Sequence, residues 1–257
     1  MSDLISPAER QLYILDLLSV SQRITVADIC QRFSISEATA RRDLEHLAAQ
    51  GMLQRVHGGG IAIRQAPPEL PILLREGEQG EEKKRIGRAA AALVQDGETV
   101  FLGSGTTVLE VARHLRQHKS LTVITNSLPV LNTLAGLQEM TVIALGGVLR
   151  DSELSFIGHI TEQALAEVNA DQVIIGIRAI SLENGLTNDY LPETMTDRAI
   201  LRAGRQVVIV ADNTKCEVVS TAFVAPLSSI HKLVTDSKTP QRFISALQAQ
   251  GIEIIAV

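Results

Sequence analysis

Apolar positions along the chain follow a helical period first and a strand period later. Ser6-Pro7 reads as a cap followed by a first-turn proline, and predicts a helix to about Ser19 with Ile14, Leu15, Leu17 and Leu18 inward. Thr25 caps a second, shorter helix whose apolar residues Val26, Ile29, Cys30 and Phe33 fall at i, i+3, i+4 and i+7. After the tight connection Ser34-Ile35, Ser36 caps a third helix to about Gln50. Its stripe is Ala40, Leu44, Leu47 and Ala48, with Gly51 at the C′ position. Met52–His57 and Ile61–Arg64, joined across Gly58-Gly59-Gly60, predict a β-hairpin.

Between Gln65 and Arg75 stand Pro67, Pro68 and Pro71, which block helix and predict a stiff connection. A helix is predicted from about Glu81 to Val94, with Ile86, Ala89, Ala90 and Leu93 inward. Beyond Asp96-Gly97, short apolar runs alternate with helical stretches. The strands expected are Thr99–Leu102, Leu121–Thr125, Thr141–Leu145, Val173–Ile177, Val207–Ala211, Leu233–Thr235 and Ile252–Ala256. Helices are expected near Thr107–Leu115, Pro129–Ala135, Thr161–Val168, Glu193–Ala203 and Pro240–Gln250. Buried strands joined by helices imply a mainly parallel α/β sheet. A length of 257 residues favours two domains. The expected division is a winged helix-turn-helix at 1–64, a linker at 65–80 and an α/β domain at 81–257.

Two short helices joined by a brief turn are the mark of a helix-turn-helix, whose second helix enters the DNA major groove. At 100° per residue, Ala38, Arg42 and His46 lie opposite the buried stripe, flanked by Thr39 and Arg41. Arginine makes bidentate contacts to guanine. Ser36 and Thr39 donate to phosphate at the helix N-terminus. The hairpin then serves as a wing, with Arg55 and His57 facing the backbone or minor groove. The alternative is a three-helix module that binds protein, with Arg41-Arg42 as a solvated face.

In the α/β part the chemistry gathers at strand ends, where ligands of such sheets bind. The first strand runs into Gly103-Ser104-Gly105-Thr106-Thr107 and a helix, a glycine-rich anion cradle. The second ends in Thr125-Asn126-Ser127 and the third in Gly146-Gly147, with Arg150 just beyond; a later one ends in Asp212-Asn213-Thr214-Lys215. Donors, glycine access and two cations suit a phosphorylated, hydroxyl-rich ligand. A dinucleotide fingerprint is excluded because Val108 stands where a third glycine is needed and Thr125-Asn126 where an acid is needed. There is no Gly-Lys-Ser/Thr of a P-loop.

Composition narrows the picture further. With 3% aromatic residues and no tryptophan, the core is built from Leu, Ile, Val and Ala. The net charge of -5 argues against nucleic-acid binding by the whole surface. Residues 1–64 hold seven arginines and seven acids, so basic character is local: Arg41, Arg42, Arg55 and Arg64 against Asp43 and Glu45. Cys30 and Cys216 stand far apart and read as reduced thiols of a cytoplasmic protein. No signal peptide or membrane span is indicated, and no metal or cofactor is expected.

Particular stretches raise the specificity of this reading. Ile35-Ser36-Glu37-Ala38-Thr39-Ala40-Arg41-Arg42-Asp43-Leu44 and Arg55-Val56-His57-Gly58-Gly59 closely resemble the recognition helix and following landmark of the DeoR family of transcription regulators. The second part resembles that family's sensor domain through Glu82-Lys83-x-x-Ile86, Gly105-Thr106-Thr107, Thr125-Asn126-Ser127, Leu145-Gly146-Gly147-x-x-Arg150, Gly185-Leu186-Thr187 with Glu193, and Ala211-Asp212-x-x-Lys215. The resemblance implies a fold similar to ribose-phosphate isomerases and a phosphorylated-sugar effector. Phosphate would sit on the 105–107 and 125–127 loops, with Lys215 and Glu193 near the sugar. It also implies a repressor of carbohydrate-metabolism genes whose affinity for double-stranded operator DNA the effector changes, acting as a homo-oligomer, a dimer or tetramer. The chain departs from the family pattern at Ala40, at Ala179 beside Arg178, and at Asp197-Arg198; the last two leave the sugar's identity open.

The competing reading is an enzyme, a sugar-phosphate isomerase with an accessory domain. Such an enzyme needs a positioned carboxylate base. The strand Val173–Ile177 is followed instead by Arg178-Ala179-Ile180-Ser181, leaving only Asp189 and Glu193 nearby.

Overall fold

The computed structural model describes residues 5–21, 23–50, 52–62, 66 and 69–257; the side chains of 19 and 20 are also left aside. Gly51, Ile63, Arg64, Gln65, Pro67 and Pro68, which carry part of the expected hairpin and linker, lie outside the described residues. The chain divides into two compact units, 1–64 and 65–257.

The first unit runs α1 (Pro7–Ser21), β1 (Arg23–Thr25), α2 (Val26–Phe33), α3 (Glu37–Ala49), β2 (Leu53–Val56) and β3 (Gly59–Ala62). Thr25 and Asp28 form a reciprocal capping box at the start of α2. Ser34, in the left-handed conformation, ends α2 and turns the chain towards α3. Ile14, Leu18, Ile29, Ala40, Leu44, Leu47 and Leu53 close one apolar core. Across α1 and α3 runs a buried ion pair, Arg10 Nε to Asp43 Oδ2 at 2.6 Å, with Gln11 Nε2 donating to the other carboxylate oxygen at 3.2 Å.

The wing differs from expectation in two ways. A third strand, β1, joins it, giving the antiparallel order β1-β3-β2. The turn is also shorter than Gly58–Gly60, because Gly59 and Gly60 are strand residues paired to Thr25 and Ile24. A Cβ at Gly59 would collide with the Ile24 carbonyl oxygen, so close strand approach explains that glycine rather than turn geometry.

The second unit begins with α4 (Ile72–Arg75) and α5 (Gly80–Ala91). It continues through β4 (Thr99–Leu102), α6 (Thr106–Leu115), β5 (Leu121–Thr125), α7 (Leu128–Leu134), β6 (Met140–Ala144), β7 (Val148–Arg150), β8 (Ser155–Ile157), α8 (His159–Ala166) and β9 (Ala170–Ile175). There follow β10 (Ala179–Ser181), β11 (Gly185–Asn188), α9 (Thr194–Arg202), β12 (Gly204–Val210), β13 (Ala222–Ala225), β14 (Lys232–Thr235), α10 (Gln241–Ala249) and β15 (Glu253–Ala256). Seven strands form a parallel sheet in the order β15-β14-β12-β9-β4-β5-β6. Its central strands bury both faces: Val100 and Leu102 point into one core, Phe101 into the other. All seven expected strands are present, with ends shifted by up to three residues.

The chain moves outward from β4 through β5 and β6, and from β9 through β12, β14 and β15. Strand order therefore reverses between β4 and β9, and the crevice at their carboxyl ends is where such sheets bind ligands. The β7–β8 hairpin and a small antiparallel sheet, β10-β11-β13, were not anticipated. Residues 69–80, expected as linker, belong to the second unit. Ile72 and Arg75 are buried there, and the Ile72 amide donates to Ser152 O at 2.8 Å.

Candidate functional site

In the first unit, α3 turns Ala38, Arg41, Arg42 and His46 to solvent while Ala40, Asp43, Leu44 and Leu47 are buried. Ser36 caps the helix: its Oγ accepts from the Thr39 amide at 3.3 Å and lies 2.9 Å from Thr39 Oγ1. Arg41 reaches back to exposed Glu37 at 3.0 Å, a contact worth little in water. His46 meets Gln50 at 2.9 Å. On the wing, Arg55 Nη1 donates across the hairpin to Gly59 O at 2.5 Å and His57 is exposed at the turn. Because Asp43 is buried against Arg10, the outer face of α3 is more basic than its sequence suggests.

In the second unit a cavity of about 100 Å³ opens at the carboxyl ends of β4, β9 and β12. Its floor is Ser104–Thr107, where Gly105 adopts φ 107° and leads into α6. Among the described residues no side chain caps that helix, so its first amides face the cavity with the positive end of the helix dipole. After β9 come Gly176, Ile177 and Arg178; after β12 come Asp212, Thr214 and Lys215.

The walls are charged and mostly buried. Arg75 Nη2 lies 2.5 and 2.6 Å from the two oxygens of Glu153. Lys83 Nζ donates to Arg75 O at 2.9 Å. Burial pulls the Lys83 ammonium below the usual lysine range; Asp212 opposes this, while Lys215 and Arg75 add to it. Arg150 pairs with Glu193 and, at 3.5 Å, with Asp189, and stacks 4.5 Å from the Tyr190 ring centroid. Burial pushes Glu193 up to about 7, with Asp197 adding and Arg150 opposing. Burial likewise raises Glu153 to about 7 despite Arg75 beside it. Such a set holds an anion against buried cations and offers carboxylates to hydroxyl groups.

Of the residues expected at this site, Ser104, Gly105, Thr106, Thr107, Arg150, Glu193 and Lys215 line the cavity, and Gly103, Thr125, Asn126, Ser127, Gly146 and Gly147 do not. Gly103 is buried beneath Ile175. Thr125 Oγ1 accepts from the Ser127 amide at 3.0 Å, Asn126 Nδ2 donates to Phe156 O at 2.9 Å, and Ser127 caps α7. Gly146 O accepts from Thr161 Oγ1 at 2.8 Å, and a Cβ at Gly147 would strike that hydroxyl. These loops are occupied with packing hairpin β7–β8 and helix α8.

The cavity is also lined by Glu69, Arg75, Lys83, Glu153 and Arg178, which the sequence reading did not single out as site residues. Lys83 carried a signal, since it shares the inward stripe of α5 with Ile86 and Ala90. Arg75 and Glu69 carried none, standing in a proline-rich segment with no period.

Comparison with known proteins agrees with both halves. Residues 10–66 match the DeoR-like helix-turn-helix domain, and residues 78–237 match the DeoR C terminal sensor domain. The chain belongs to the DeoR family.

It is a DNA-binding transcription regulator of that family. Among its relatives, the transcriptional repressor AccR of Agrobacterium fabrum is 33% identical over 91% of each chain. The glycerol-3-phosphate regulon repressor of Escherichia coli is 31% identical over 96% of this chain and 97% of its own. Ribose 5-phosphate isomerase A of Neisseria gonorrhoeae is similar over 54% of each chain, with 18% identity and a TM-score of 0.41. No helix among the described residues is long and apolar enough to cross a membrane.

Proposed function

We propose that this repressor is gated by a phosphorylated sugar or polyol bound in the cavity at the β4/β9 crevice. The observation that carries the reading is the meeting of the open N-terminal turn of α6 with buried Arg75, Lys83 and Arg178 and half-buried Lys215 in one cavity. A phosphate monoester is the ligand class that answers both features, since it accepts many hydrogen bonds and carries near-double charge. Glu193, Asp197 and Asn188 serve the hydroxyl-bearing end. The name of the glycerol-3-phosphate regulon repressor agrees with a phosphorylated compound.

On the DNA side, Arg42, Ala38 and His46 face the major groove with Arg41 and Thr39 beside them. Ser36 meets phosphate, and Arg55 and His57 act from the wing. A helix-turn-helix reads two half-sites one helical turn apart, so the working species is at least a homodimer, acting in the cytoplasm. Gating requires the effector to bind two conformations unequally, and repression is relieved when it favours the form with weaker operator affinity.

The test is fluorescence anisotropy of the full chain on DNA from upstream of its own gene, titrated with sugar phosphates and their unphosphorylated parents. Tight binding that one phosphorylated compound alters, and its parent does not, supports the reading. Operator binding indifferent to every phosphorylated compound refutes it.

A further inference from the structure

The cation cluster in the cavity already holds an anion, and that anion belongs to the chain. Glu69 Oε1 lies 2.5 Å from Arg75 Nη1, 3.1 Å from Lys215 Nζ and 3.5 Å from Arg178 Nη1. Three cations from three separate elements converge on one carboxylate oxygen. A contact of that kind is more than a surface ion pair, because the side chains of Glu69, Arg75 and Arg178 are each no more than 10% exposed.

Two backbone hydrogen bonds flank Glu69 along the chain. The segment is tied at Ala66, whose amide donates to Val219 O at 2.8 Å, and at Ile72, whose amide donates to Ser152 O at 2.8 Å. The neighbours Leu70 and Pro71 are exposed. Residues 69–71 lead into α4, with Glu69 lining the cavity and its carboxylate held by the three cations.

We propose that Glu69 is a built-in occupant of the effector's anion subsite, and that the effector's anionic group binds Arg75, Arg178 and Lys215 by displacing the Glu69 carboxylate and loosening the Ala66 and Ile72 backbone ties that flank it. The inference rests on the cavity being the effector site, and adds what must leave for the effector to enter. Arg75 keeps Glu153 as a hydrogen-bond partner throughout, and the exchange swaps one anion for another at the cation cluster. A phosphate competes well because it offers three oxygens where Glu69 offers one. Displacement also supplies the differential contact that gating needs, since the ligand binds only the form with the Glu69 carboxylate withdrawn.

Removing the competitor tightens ligand binding. If Glu69 occupies the subsite at least nine-tenths of the time, the free subsite is at most about one-tenth populated, so Glu69→Gln lowers the apparent Kd about tenfold or more. Calorimetric titrations of the full chain with inorganic phosphate, glycerol 3-phosphate and a hexose 6-phosphate measure this for wild type, Glu69→Gln and the charge-keeping Glu69→Asp. Hydrogen exchange at the Ala66 and Ile72 amides follows those ties in the unmodified protein. The expected result is tighter binding in Glu69→Gln, near-wild-type binding in Glu69→Asp, and lost protection at the Ala66 and Ile72 amides when wild type is saturated.

Equal or weaker binding in Glu69→Gln overturns the displacement while leaving the cavity as effector site, with Glu69 a ligand contact or buttress. Unchanged protection at Ala66 and Ile72 in ligand-saturated wild type overturns it too, whatever the variant does. Failure of every phosphorylated probe to bind wild type or Glu69→Gln overturns both this inference and the reading beneath it.

Discussion

Removing Arg10 should cripple the DNA-binding unit without touching a DNA contact. Arg10 and Asp43 are 6% and 5% exposed, and their 2.6 Å pair joins α1 to the recognition helix. Arg10→Met strands the Asp43 carboxylate in the interior with Gln11 as its remaining partner. Breaking one side of a buried pair costs about 3–5 kcal/mol. A unit of this size is worth only ~3–10 kcal/mol in total, at ~0.05–0.15 kcal/mol per residue. The variant therefore loses a large share of its stability, and operator binding falls through unfolding. Replacing both residues, Arg10→Met with Asp43→Leu, removes the stranded charge and should bring stability back to within about 1–2 kcal/mol of wild type. Native-state hydrogen exchange at the buried Leu44 and Leu47 amides of α3 reads the opening free energy of this unit within the full chain. An Arg10→Met protein that keeps those amides within about 1 kcal/mol of wild type would refute the buried pair.

Other outcomes follow from the two sites. Arg42→Ala should weaken operator binding by about 1–3 kcal/mol and leave sugar-phosphate affinity unchanged; undiminished anisotropy removes Arg42 from the groove. Lys215→Ala should keep operator affinity but shift the effector midpoint by about 10–100-fold, the worth of one charged hydrogen bond; an unshifted midpoint removes Lys215 from the site. Glu153 is held up at about 7, above its unfolded value, so its contribution to stability is complete below pH ~4.5 and is lost as pH rises through 7. Glu153→Gln cannot ionise, so it should match wild type near pH 4.5 and exceed it by up to about 3 kcal/mol above pH 7. Parallel stability–pH curves for the two proteins in denaturant titrations contradict that burial effect.

The sheet was legible because its strands are runs such as Val207-Val208-Ile209-Val210, where burial on both faces leaves little else for an apolar segment to be. The helix-turn-helix was legible because caps at Thr25 and Ser36 and a 3.6-residue stripe fix element, length and inward face together. Short strands were not: β1, β7 and β10 have three residues each, too few for a period, and find their partners through tertiary packing. The site was half legible. The Ser104–Thr107 cradle follows from a strand running into glycine and hydroxyl residues. The Thr125–Ser127 and Gly146-Gly147 loops show the same chemistry but spend it on capping α7 and seating α8, a use that only neighbouring chain segments decide. Glu69 and Arg75 were hidden for the opposite reason, since proline reports a stiff backbone and says nothing of where an intervening carboxylate points.

Control of the first unit's DNA affinity by one cavity in the second is tested most directly by the operator Kd, measured by anisotropy at about 150 mM salt, where non-specific binding is weak, with and without each sugar phosphate. The expected result is tight binding that one phosphorylated compound weakens in wild type but much less in Lys215→Ala. Operator affinity that no phosphorylated compound changes, in a protein that binds the operator well, would contradict it.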